Sequence, residues 1–134
     1  MNIKFMKEAI KLAQKAYEVG EVPVGAVIVK NNKIIARSYN KIEKNNNVVS
    51  HAEINVIQIA SRKLNNWRLI DCDIYVTLEP CPMCEYAIKL SRIKNVYFCT
   101  SRTNNENIIT NKVKLNYFEN ECIMLLKKFF KNRR

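Results

Sequence analysis

Asp73-Ile74-Tyr75-Val76-Thr77-Leu78, followed at once by Glu79-Pro80-Cys81-Pro82-Met83-Cys84, is the stretch that decides how this chain folds. DIYVTL is a short run rich in β-branched and aromatic residues, the composition of a buried strand. CPMC then opens a helix expected to reach about Ser91, with Pro82 in the first turn, where a missing N–H costs no hydrogen bond. Working outward, Asn95–Thr100 (NVYFCT) reads as the next strand and His51 to about Leu64 as the preceding helix. Val24–Lys30 (VGAVIVK) and Ile34–Tyr39 (IIARSY) read as two strands, joined by Asn31-Asn32, a pair that tolerates positive φ and so suits a tight hairpin. Lys41–Asn47 reads as a polar loop. At the start, Met6, Ala9, Ile10, Ala13 and Tyr17 recur at helical steps, giving a helix over Asn2–Val19 that Gly20 ends. Residues 101–112 give no clear signal. Val113, Leu115 and Tyr117 alternate with polar residues as a half-buried fifth strand does, and Cys122–Phe130 closes the chain as a helix with a basic end. The order α, β, β, α, β, α, β, β, α places the chain in the α/β class, as a three-layer α/β/α sandwich on a five-stranded sheet. Its 134 residues fit one domain, 1–134.

Hydrophobic residues make up 48% of the chain, which supports a packed core and excludes a disordered class. No apolar run approaches the roughly 20 residues needed to cross a bilayer, so no membrane partner is expected. The amphipathic opening reads as a folded helix and not as an export or transit segment. Five cysteines, an odd number, argue against a disulfide framework and for metal ligands or buried thiols in a reducing, cytoplasmic setting. A net charge of +11, from 23 basic and 12 acidic residues, draws polyanions at long range and suits a nucleic-acid partner. The competing explanation is compositional, because Lys and Asn are both abundant, as in a chain under A/T-rich codon bias.

Two segments carry the chemistry, Ser50-His51-Ala52-Glu53 and Glu79-Pro80-Cys81-Pro82-Met83-Cys84, and each opens a helix. Cys81 and Cys84 are three apart and share a helix face. The positive end of that helix favours the thiolates a metal requires. With His51, the only histidine of the chain, they form one imidazole and two thiolates, a donor set suited to Zn²⁺. A closed structural site takes four protein ligands, whereas three leave a position for water, whose pKa then falls toward about 7. Glu53, two residues past His51, is placed to move that water's proton. Each segment also has a plainer explanation. Ser50-x-x-Glu53 matches a helix capping box, and a Cys-x-x-Cys pair occurs in redox proteins. The two segments together, with a strand between, form the His-x-Glu and Pro-Cys-x-x-Cys pattern of zinc deaminases acting on nucleobases.

On these residues the chain resembles the cytidine/deoxycytidylate deaminase superfamily, and within it the bacterial deaminases of tRNA adenosine. The shared stretches are EVPVGAVIV (21–29), HAEI (51–54), RLIDCDIYVTLEPCPMC (68–84), SRI (91–93) and FFKNRR (129–134). The resemblance implies a mixed sheet of the cytidine deaminase type and one Zn²⁺ per chain on His51, Cys81 and Cys84, with Glu53 as proton shuttle. It further implies Asn40 and the Ala52 backbone as contacts to a flipped base, and a homodimer. The implied reaction is hydrolytic conversion of the wobble adenosine of an arginine tRNA to inosine, a zinc-activated water attacking C6. The partner would be a tRNA anticodon stem-loop touched by Phe129–Arg134, where Phe129, Phe130, Arg133 and Arg134 join aromatic and basic side chains as a nucleic-acid edge does. In the alternative, one of the two rings belongs to the core. The chain departs from the family pattern at Asn47-Val48-Val49-Ser50, at Cys99 and Ser101-Arg102-Thr103, and in a shorter following loop. Two rival readings remain: a deaminase of free guanine, cytosine nucleosides or related bases, and a non-catalytic zinc-stapled RNA-binding subunit whose fourth ligand is Cys72 or Cys99.

Overall fold

The computed structural model describes residues 2–102 and 111–132. Ten elements follow one another: α1 (Ile3–Glu18), β1 (Gly25–Lys30), β2 (Lys33–Tyr39), α2 (Ile42–Asn45), α3 (Ala52–Leu64), β3 (Cys72–Leu78), α4 (Pro82–Leu90), β4 (Asn95–Thr100), β5 (Lys112–Lys114) and α5 (Glu119–Asn132). The strands form one mixed sheet in the order β2-β1-β3-β4-β5. β1 pairs antiparallel with β2 and with β3, whereas β4 pairs parallel with β3 and with β5.

Period-two alternation sorts the strand residues into two cores. Ala26, Ile28, Ile74, Val76, Val96 and Phe98 face Ala52, Val56 and Ala60 of α3 and Ile88 of α4. Val27, Val29, Tyr75 and Cys99 face Phe5, Met6, Ala9 and Ile10 of α1 and Cys122 of α5. Helices therefore cover both faces, as the alternation of strands and helices predicts.

Local chemistry sets the joints. α1 ends in a Schellman motif: Gly20 has φ 83°, its N–H reaches the Tyr17 carbonyl at 3.2 Å, and the Glu21 N–H reaches that of Ala16 at 2.9 Å. The β1–β2 hairpin turns on Asn31 (φ 52°) and Asn32 (φ 59°), the two positive-φ positions of a type I′ turn. Two expectations are corrected. The Lys41–Asn47 loop contains the short helix α2, because the buried Glu21 carboxylate accepts the amides of Glu43 (3.1 Å) and Lys44 (2.8 Å) from a distant part of the chain. The fifth strand covers only Lys112–Lys114, so of the alternating trio only Leu115 is buried while Val113 and Tyr117 are exposed. Leu115 still donates its amide to the Phe98 carbonyl at 2.8 Å.

The strand ends set the position of the site. The start of β1 and the ends of β2, β3 and β4 all lie at one edge, as the pairs Gly25–Tyr39, Ala26–Val76 and Leu78–Thr100 require. α3 and α4 begin there too. A sheet of this class presents its ligand crevice outside the carboxyl ends of its parallel strands.

Close approach of α1 to β1 depends on Gly25. A Cβ there would lie 2.0 Å from the Ala9 carbonyl oxygen and 2.6 Å from the Ala13 nitrogen, and neither can move without lifting the helix. Gly25→Ala is expected to cost at least about 1–3 kcal/mol, the usual penalty of overpacking, read as a lower urea midpoint. An unchanged midpoint would mean that α1 does not pack so closely.

Candidate active site

His51 and Cys81 are N-cap residues of α3 and α4, both in extended backbone conformation, and Cys84 lies in the first turn of α4. The sequence places helix starts at these residues, and the structure differs by one position, His51 and Cys81 standing just outside. The two helix ends converge so that the His51 Nδ1 lies 3.7 Å from the Cys81 Sγ and 3.5 Å from the Cys84 Sγ. The three donor atoms fall within 4.8 Å of one another. A tetrahedral ion with bonds of about 2.1 Å to nitrogen and 2.3 Å to sulfur separates such atoms by about 3.6 Å. The spacing therefore fits a zinc ion.

The electrostatics agree with that geometry. A hydrogen bond from the Cys84 thiol, and another with His51, lower Cys81 to about 4 despite burial. Cys84, donating to Cys81 and buried, is pushed up in turn. His51 is raised, chiefly by its hydrogen bond with Cys81. Glu53 is 4% exposed, and burial pushes its carboxyl up to about 7. A carboxyl poised near neutral pH can both take and return a proton.

His51, Glu53 and Cys81 line a cavity of about 250 Å³ completed by Val22, Val24, Asn40, Ile42, Leu78, Glu79 and Arg102. Its walls are mainly apolar with a few convergent polar groups, and its size suits one heteroaromatic ring. Asn40 is held by its amide nitrogen, which donates to Glu21 Oε1 at 3.3 Å. Ala52 buries its methyl group in the core, leaving only its backbone between His51 and Glu53 for any contact.

The capping-box alternative for Ser50 and Glu53 does not hold. The N-cap is His51, with no side-chain cap bond, and the Ser50 hydroxyl donates to Asn55 Oδ1 at 2.8 Å. Asn55 in turn donates to the carbonyls of Tyr39 (3.0 Å) and Ser50 (3.1 Å), fixing the approach to His51. The fourth-ligand alternative also loses its candidates. Cys72 sits at the far end of β3, and Cys99 faces the α1 side of the sheet, its thiol on the Tyr117 carbonyl at 3.3 Å. Among the described residues, the only clustered donor set is His51, Cys81 and Cys84.

A mostly apolar groove of about 710 Å³ adjoins the cavity, sharing Val22, Leu78 and Arg102 with it and bounded by Ile123, Leu126, Lys127, Phe130 and Lys131 of α5. The structure divides the aromatic pair. Phe129 is 8% exposed and packs edge-on against Tyr17, so it takes the core alternative, whereas Phe130 is 55% exposed in the groove. Adjacent helical residues point about 100° apart, so one helix cannot offer both rings to one surface. Arg133 and Arg134 lie outside the described residues. Sequence reasoning missed Glu21, Glu79, Glu85 and Lys112, since charged residues ordinarily read as solvated surface.

Residues 1–100 match the family of the cytidine and deoxycytidylate deaminase zinc-binding region. A tRNA-specific adenosine deaminase of Bacillus subtilis is 54% identical over 94 residues, which span 70% of this chain and 58% of that protein. That of Aquifex aeolicus is 40% identical across 97% of this chain and 94% of its own length. A solved tRNA:A34 deaminase, studied for A-to-I editing at the wobble position, superposes with a TM-score of 0.87 at 34% identity, covering 93% of this chain and 100% of that one. Family match, converged helix ends and donor set agree, and the chain belongs to the cytidine and deoxycytidylate deaminase zinc-binding family.

Proposed function

We propose that the chain hydrolytically deaminates adenosine to inosine at the wobble position of a tRNA anticodon, an arginine tRNA being the expected substrate, with one zinc ion on His51, Cys81 and Cys84. The observation that carries the proposal is the convergence of those three donors beside the buried Glu53, at the floor of a cavity that takes a single base. The relatives and the solved structure whose names specify tRNA adenosine support the choice of substrate.

When bound, zinc would lower the pKa of a water toward neutrality. Glu53 removes that water's proton and delivers it to N1 of the base as oxygen adds at C6. It then carries the remaining hydroxyl proton to the amino group as the C6–N bond breaks and the C6 carbonyl forms, so that water and adenosine become inosine and ammonia. Asn40, anchored by Glu21, orients the ring edge. The target leaves its stack to reach the cavity. Neighbouring nucleotides lie in the adjoining groove, with Phe130 as a stacking face and Lys127 and Lys131 near phosphates. A homodimer holding the RNA across both copies, as the resemblance implies, belongs to the same proposal. Among the described residues no helix is long and apolar enough to cross a membrane.

The deciding assay is inosine formation on an arginine-tRNA anticodon stem-loop, run beside ammonia release from free guanine and cytidine. Turnover of a free base alone would refute the RNA substrate. Glu53→Ala should keep one equivalent of zinc by metal analysis while kcat falls about 10²- to 10⁴-fold. A variant of unchanged rate would remove Glu53 from proton transfer, and one that loses the metal would make Glu53 a support of the zinc site instead.

Binding has its own test. Phe130→Ala should weaken stem-loop binding by about 1–3 kcal/mol through lost stacking. Lys131→Gln should lower the slope of log K against log salt by about 0.7. Unaltered binding in both would place the RNA elsewhere than in the groove.

A further inference from the structure

Two carboxylates bracket the cysteine pair. Glu79 stands two residues ahead of Cys81, and Glu85 directly follows Cys84. Glu85 is 0% exposed. A buried, unopposed negative charge is costly and disfavours thiolates beside it. Two cations oppose it, from segments well separated from α4 in sequence. Arg102, just past β4, reaches Glu85 Oε1 through Nη2 at 3.4 Å. Its Nε donates to the Pro80 carbonyl at 2.6 Å, and its backbone N–H donates to Glu79 Oε1 at 3.3 Å. Lys112, opening β5, bridges Glu79 Oε2 at 2.6 Å and Glu85 Oε1.

One side chain thus touches both edges of the ligand turn, the peptide carbonyl immediately before Cys81 and the carboxylate immediately after Cys84. A planar guanidinium can hold two such acceptors at a fixed separation, which a lysine ammonium does less rigidly. All four charged side chains are largely shielded from water, where such contacts are stronger and their loss more costly. Burial would lower the pKa of Lys112, but its bonds to Glu79 and Glu85 outweigh that and raise it, keeping the cation charged.

We infer that Arg102 is a positioning residue, which together with Lys112 clamps Glu79, Pro80 and Glu85, fixes the separation of Cys81 and Cys84, and so governs how tightly the turn holds its metal. The inference rests on the zinc site of the proposed function. It extends that site to two residues outside the metal-donor set.

The test uses the zinc-loaded full chain. Metal release into excess colorimetric chelator is followed for wild type, Arg102→Gln and Glu85→Gln/Arg102→Gln, together with each thermal midpoint. The single variant takes one of two opposing cations from the buried Glu85 carboxylate and should both melt earlier and release zinc roughly 10- to 100-fold faster, the usual effect of losing a group that orients metal ligands. The double variant removes that under-compensated buried charge, so its midpoint should recover while its faster zinc release persists, because the Pro80 tether is still missing. A double variant that regains both midpoint and wild-type zinc retention would overturn the clamp, leaving Arg102 a plain charge partner. A single variant that releases zinc at the wild-type rate would overturn it too. Wild type that takes up no zinc would refute the metal site itself and the clamp with it, an outcome distinct from the other two.

Discussion

The structure depends on two helix N-termini being held edge to edge at one end of a sheet. α3 and α4 each bring an incomplete first turn, whose unpaired N–H groups and partial positive charge favour anions. Cys81 and Cys84 at one end and Glu53 at the other exploit this. The sheet makes the arrangement possible because β3 and β4 run parallel and finish side by side, the pair Leu78–Thr100 marking the edge. A one-residue slip in that pairing would turn Phe98 away from the face it shares with Val76, and so away from α3 and α4. The core register and the site geometry are therefore one constraint. This also explains why so much polar machinery is spent on the approaches. Ser50 and Asn55 fix the strand-to-helix path before His51, and Glu21 fixes Asn40 and the start of α2.

Much of this was legible from residue types and spacing. The β3–α4 join could be read because Pro82 marks a first turn and DIYVTL is too short and too β-branched for a helix. The hairpin could be read because Asn31-Asn32 supplies the required φ values. The three donors and Glu53 were legible because their chemistry demands those residue types at that spacing. What escaped depends on contacts remote in sequence. α2 has too few residues to be stable alone and is capped by Glu21 from the far side of β1 and β2. Leu115 is buried and Tyr117 exposed although their pattern looks alike, because the strand ends at Lys114. The Glu79–Arg102–Glu85–Lys112 cluster has no local pattern at all. Each member looks like surface until the fold brings the four together.

A like tension runs through the charges. The chain carries +11 overall, yet the residues closest to its candidate centre include Glu21, Glu53, Glu79 and Glu85, three of them almost fully buried. Excess lysine is carried instead on exposed faces, as at Lys127, Lys128 and Lys131 of α5. Solvation accounts for the division. A buried carboxylate can be satisfied by backbone amides, as Glu21 is by Glu43 and Lys44, or by a nearby cation, whereas flexible lysines lose least when their ammonium groups stay in water.

That division matters for the proposed reaction. A polyanion approaching the molecule feels the outer lysines first, over a range set by the Debye length of roughly 8–10 Å at physiological salt. Its phosphates would lose solvation if they followed the target nucleotide into the small, mainly apolar cavity. The nucleobase itself is uncharged, so only the base gains by leaving the stack and entering the mainly apolar cavity. A cationic rim around a mainly apolar cavity would thereby orient the substrate before any specific contact forms, holding the backbone outside and admitting the ring. The same rim would do nothing for a free base, which has no phosphate for it to hold. On the proposed function, the lysines of the rim would therefore favour a nucleotide within a strand over the isolated base, independently of the contacts within the cavity.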